Sequence, residues 1–90
     1  MQRTYQLRKT ELTWREVGDA IVILDLSDSS YLSVSGAGRV VWDRLDGGAT
    51  LAELVAAVME IFDVSEELAA SDTSSFLDSL ESRKLIFARA

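Results

Sequence analysis

Fifteen carboxylates, no histidine and no cysteine bound the chemistry open to this 90-residue chain. Without imidazole or thiol, the usual zinc and haem sites and the nucleophile and base pairs of covalent catalysis cannot be assembled. The carboxylates themselves are spread at spacings expected of solvated helix faces rather than set in acid and base pairs. Gly36-Ala37-Gly38 and Gly47-Gly48 lack the following Lys and Ser/Thr of a phosphate loop, so both read as helix ends. Two constellations remain. Tyr31-Leu32-Ser33-Val34 is a short strand with no obvious partner on one side, and an open strand edge can accept another chain through main-chain hydrogen bonds. Asp72, Ser75, Phe76 and Ser79 fall three or four apart, so one helical stripe carries a carboxylate and a large ring among small hydroxyls. Such a stripe can border a groove.

The elements that position these residues follow from the apolar pattern. Leu12 to Val17 alternates, Gly18-Asp19 supplies a tight turn, and Ala20 to Leu24 is a continuous apolar run, which together predict a hairpin. Ser27 to Ser30 makes the next turn into Tyr31 to Val34, giving a three-stranded antiparallel meander with its third strand at an edge. Within that strand Leu32 and Val34 share one face, with Val34 in the core, while Tyr31 and Ser33 share the other. From Ser35, expected as an N-cap, the period changes to about 3.6, and Val41, Trp42 and Leu45 line one side of a first helix that ends at Asp46-Gly47-Gly48. Thr50 and Glu53 have capping-box spacing at the start of a second helix, whose buried stripe reads Leu51, Leu54, Val55, Val58, Ile61 and Phe62. Ser65 and Glu66 open a third, with Leu68, Ala69, Thr73, Phe76, Leu77 and Leu80 on the inner side. Leu85 to Phe87 reads as a closing strand or extended tail, Trp14 and Trp42 as core anchors, and residues 1–9 as a loose arm of one domain spanning 1–90.

Composition narrows the setting. At 48% apolar residues the chain can build a core without staples, and with no cysteine, no signal layout and no long apolar run it reads as a cytoplasmic domain that does not enter the membrane. The formal charge is −6, and from Val40 to Ser82 there is one cation, Arg44, against ten acids. A surface of that kind suits a basic segment and repels phosphate. A helix that enters a nucleic-acid groove needs Lys or Arg, and Ser65 to Ser82 has neither, which argues against a DNA-binding regulator. Self-association through the strand edge is a further possibility of a different class.

Tyr31-x-x-Val34-Ser35-x-x-Gly38-x-x-Val41-Trp42 resembles the strand-to-helix signature Tyr-x-x-Leu-Asn-x-x-Gly-x-x-Ile-Trp of the PqqD-like domains, the leader-peptide recognition elements of ribosomally made, modified peptides. The similarity continues through Gly48-x-Thr50-x-x-Glu53-Leu54, Phe62-Asp63-Val64, Asp72-x-x-x-Phe76-Leu77-x-x-Leu80 and Leu85-Ile86. Ser35 stands where Asn is usual, and Lys84 where a Gly often precedes the final Leu. The resemblance implies an α+β, winged-helix-like fold, a three-stranded antiparallel sheet followed by three helices, with no catalysis and no cofactor. It also implies that a precursor's leader adds an antiparallel strand beside Tyr31, Leu32, Ser33 and Val34 and lies against Asp72, Ser75, Phe76 and Ser79. The chain is most similar to the stand-alone leader-binding proteins of lasso-peptide biosynthesis, whose partner is a cysteine leader peptidase. In pyrroloquinoline quinone biosynthesis the partner is a radical enzyme.

Overall fold

The computed structural model describes residues 2–89. The meander forms as expected from β2 (Leu12–Val17), β3 (Ala20–Asp25) and β4 (Ser30–Val34), paired antiparallel in that order. Val17 faces Ala20, so the β2-β3 loop is the two residues Gly18-Asp19, and Gly18 takes the positive φ of +62° that such a turn requires. Register carries the period-two pattern across the sheet: Trp14, Ile23 and Leu32 share one row, and Glu16, Ile21 and Val34 the next. Ile21, Ile23 and Val34 are buried, whereas Leu24 and Tyr31, cross-strand neighbours on the opposite face, are exposed.

The chain then enters α1 (Ala37–Leu45), but not through a Ser35 cap. Gly36 is the N-cap, at φ +61°, no side chain caps the helix, and the Gly36 carbonyl accepts from the Arg39 amide at 3.1 Å. The corner between strand and helix needs a left-handed residue, and glycine supplies it where a hydroxyl cannot. Helix α2 (Leu51–Ile61) starts on the expected capping box: Glu53 N donates to Thr50 Oγ1 at 3.2 Å and Thr50 N donates to Glu53 Oε1 at 2.8 Å. Helix α3 (Glu66–Ser82) is capped by Ser65, whose Oγ accepts from Leu68 N. Ile61 and Leu68, expected inside, are 62% and 50% exposed. Both sit at a helix end, where the apolar stripe runs past the element that covers it.

Over its described residues, 2–9, the segment expected as a loose arm is not loose. Thr4–Leu7 forms β1, the middle strand of a second antiparallel sheet, between β5 (Ala49–Thr50) and β6 (Ile86–Arg89). Leu7 is fully buried, and main-chain pairing from Thr4 opposite Arg89 to Leu7 opposite Ile86 supplies what the two apolar anchors could not. Arg8 completes the join. Its guanidinium donates to the Asp25 carboxylate and to the carbonyls of Glu11 and Lys84, both at 3.1 Å, tying β1, β3 and the turn after α3 together. Lys84 holds that turn in the left-handed region at φ +61°.

One core joins both sheets and all three helices, from Leu7 through Ile23, Val41, Leu54 and Leu77 to Ile86. Trp42 lies at its centre, 0% exposed, with the half-buried Trp14 ring edge-on at 5.4 Å between centroids and 86° between planes. The Trp42 N–H has no acceptor among the described residues, so packing alone holds it.

Candidate peptide-binding site

Among the described residues β4 pairs only with β3, so its other edge is open. In an antiparallel strand alternate residues turn their N–H and C=O groups toward each side, so about half of the Ser30–Val34 main chain points away from β3 and is free to bond. Tyr31 is 70% exposed and Ser33 is exposed, while Leu32 is half-buried and Val34 is core.

The open edge borders a groove of about 580 Å³. Leu32, Ser33 and Val34 form one wall, and Asp72, Phe76 and Ser79 of α3 stand opposite, so six of the eight residues singled out in the sequence meet around one space. Two do not. Tyr31 lines a separate cleft of about 170 Å³ with Asp28, Ser30 and Arg83, at the other end of the strand. Ser75 is exposed and off the lining. At about 100° per residue it falls just outside the arc of α3 that carries Leu68, Asp72, Phe76 and Ser79.

Sequence reasoning misses the floor. Gly38 and Val41 of α1, Val58 and Phe62 at the end of α2, Val64, and Leu68, Ala69 and Thr73 of α3 also line the groove. By periodicity several of these are plain core, and although Gly38, Val41, Phe62 and Val64 all recur in the family pattern, recurrence alone does not separate groove lining from core. Gly38 shows how tightly this region closes: a Cβ built there lies 2.8 Å from Val34 Cγ1 and 3.3 Å from Phe76 Cζ. Any side chain at position 38 therefore pushes on both walls of the groove.

Beyond the groove, Asp25 is, among the described residues, the one titrating group held far from its ordinary range. The Arg8 guanidinium beside it, reinforced by Ser27 Oγ at 2.6 Å and Ser27 N at 3.0 Å, lowers its carboxyl to about 2. These contacts make it a structural clamp between β3 and the Arg8 corner. No group of three or more carboxylates among the described residues is placed to hold a metal ion. No helix among them is long and apolar enough to cross a membrane.

Fold and site together define an α+β domain with an open sheet edge over a largely apolar groove. The model of the family described as coenzyme PQQ synthesis protein D (PqqD) matches residues 20–86, and the chain belongs to that family. The fold is also that of two solved structures. One, described as TbiB1 in complex with the TbiA(beta) leader peptide, superposes with a TM-score of 0.83 at 22% identity, covering 94% of this chain and 98% of that one. The other, lasso peptide synthetase B1 complexed with the leader peptide, gives 0.81 at 19% identity, covering 92% and 96%. A search of curated protein sequences finds no match.

Proposed function

We propose that this chain is a non-catalytic adaptor that binds the leader segment of a ribosomally made precursor peptide as an added strand on β4 and presents it to a processing enzyme. The observation that carries the reading is the open β4 edge set against an apolar groove. Strand addition draws affinity from main-chain bonds and selectivity from pockets beside the edge, and both are present here. Ordering a disordered leader costs about 2–5 kcal/mol, which apolar anchors in the groove must offset. Micromolar binding, about −8 kcal/mol, is then a reasonable scale. Family membership supports the reading, and so does the likeness in fold to two chains whose descriptions name a bound leader peptide. The partner is a leader peptidase of lasso-peptide type. The family's description as a coenzyme PQQ synthesis protein favours a second reading, in which the same edge serves a radical enzyme.

NMR of labelled protein tests the binding step. Titration with the leader of a precursor encoded beside this chain should shift amides of Tyr31 to Val34 and Asp72 to Leu80 most. Shifts confined to Leu12 to Val17 would rule the strand-addition model out. Precursor incubated with rigorously purified protein alone should keep its mass, and cleavage would overturn the adaptor reading.

A further inference from the structure

The wall of the groove formed by α3 carries a pattern that specifies its occupant. Leu68, Asp72 and Phe76 stand at i, i+4 and i+8 and all line the groove, so the wall reads apolar, acidic, apolar along its length. At about 1.5 Å per residue these positions are about 6 Å apart. In an extended peptide, alternate residues face the same side and are about 6.6 Å apart. The two repeats match.

The helix and the strand edge also run alongside each other. The α3 positions 68 to 79 line the groove with Leu32 to Ser35, and Arg83, just past the helix, reaches the cleft that holds Ser30 and Tyr31. A strand added to β4 therefore lies along α3 and offers residues j, j+2 and j+4 to Leu68, Asp72 and Phe76 in turn. Asp72 is the single charged residue among those lining the groove. It is exposed and, among the described residues, makes no ion pair or side-chain hydrogen bond. Its carboxylate is thus free for a ligand, and the nearest wall residues are apolar or hydroxyl-bearing.

Resting on the adaptor reading above, we propose that the bound segment carries the pattern apolar-x-Lys/Arg-x-apolar, with the cation paired to Asp72 and the flanking apolar side chains against Leu68 and Phe76. The pattern is the same read in either direction, so it does not depend on strand polarity. A cation at the centre gains a charge-assisted bond to Asp72, whereas an acid there meets a like charge in a partly closed groove.

A display selection tests this with random peptides in place of the leader. A random dodecapeptide library is selected on the wild-type chain and on Asp72→Lys, an exposed helix position where the exchange leaves the core untouched. Wild type should enrich apolar-x-Lys/Arg-x-apolar, and Asp72→Lys should keep the apolar pair but exchange the central cation for Asp or Glu. In a selected peptide, Lys→Glu at the centre should weaken wild-type binding about tenfold and restore binding to Asp72→Lys. Enriched peptides that keep the apolar pair with no charge preference, or with the same preference on both proteins, overturn the assignment while leaving strand addition intact. Selected peptides that bind without shifting the Leu32 to Val34 amides overturn strand addition as well.

Discussion

Phe76→Ala separates groove from core more sharply than any other single change. A fully buried phenylalanine truncated to alanine costs about 3–5 kcal/mol. Phe76 is partly buried, with its ring tip toward Gly38 and a lesser part facing the groove, so about two-thirds of that, roughly 2–3 kcal/mol, should appear in urea unfolding. For a chain of this size that corresponds to a melting temperature about 10–20 °C lower. The exposed part of the ring, about a third of it at most or roughly 50 Å² of a side chain that buries about 150–250 Å², is covered only when peptide binds. At about 25 cal/mol per Å² this contributes roughly 1 kcal/mol to binding, or about fivefold in Kd. Calorimetric titration with a leader peptide, at a temperature where the variant is fully folded, reads that loss directly. Leu77→Ala is the control, since Leu77 is buried one residue further round α3, and it should lose about 2–5 kcal/mol of stability while binding normally. A Phe76→Ala protein that loses the full 3–5 kcal/mol in unfolding yet binds peptide like wild type refutes the reasoning.

Gly38→Ala should destabilise by up to about 2 kcal/mol in chemical denaturation, because overpacking against Val34 at 2.8 Å outweighs the roughly 1 kcal/mol that alanine gains in a helix; an unchanged midpoint would show that the walls can give. Asp25 is lowered in the folded state from 3.8 to about 2, so its contribution is complete above about pH 4 and is lost as pH falls toward 2. Thermal melts should therefore decline through that window, and Asp25→Asn should lack that part of the decline; an identical profile in the variant argues against the clamp. Lys84→Gly should stabilise by about 1 kcal/mol, since φ +61° favours glycine, and a loss of stability would show that the lysine stem packs usefully.

What is legible in the sequence is local. The meander, the Thr50 capping box and the Ser65 cap each depend on residues within a few positions, and each forms as the pattern predicts. Alternation alone assigns Leu32 and Val34 to the inner face, and helical spacing alone places Asp72, Phe76 and Ser79 together. The departures come from contacts that no local pattern carries. Nothing near Leu7 announces that Ile86 will pair with it, and nothing near Asp25 announces Arg8. Ile61 and Leu68 show a second limit: periodicity identifies a helix face but not how far its cover extends. In Leu68 that excess apolar surface lies in the groove, so a residue that periodicity puts in the core belongs to the candidate site. Gly36 taking the cap from Ser35 is a backbone effect, because the corner's dihedral angle outranks the side chain's hydrogen-bonding capacity.

The pairing of β1 with β6 brings Thr4 opposite Arg89. Polypeptide joined upstream and polypeptide joined downstream would thus pass through one doorway, on a sheet that does not contain the candidate peptide edge. Such a unit can be spliced into a surface loop of a larger enzyme, or carried at either of its ends, without bending β4 or narrowing the groove. The fold is in that sense a portable attachment, and tethering it would raise the local concentration of a captured substrate around the enzyme that carries it.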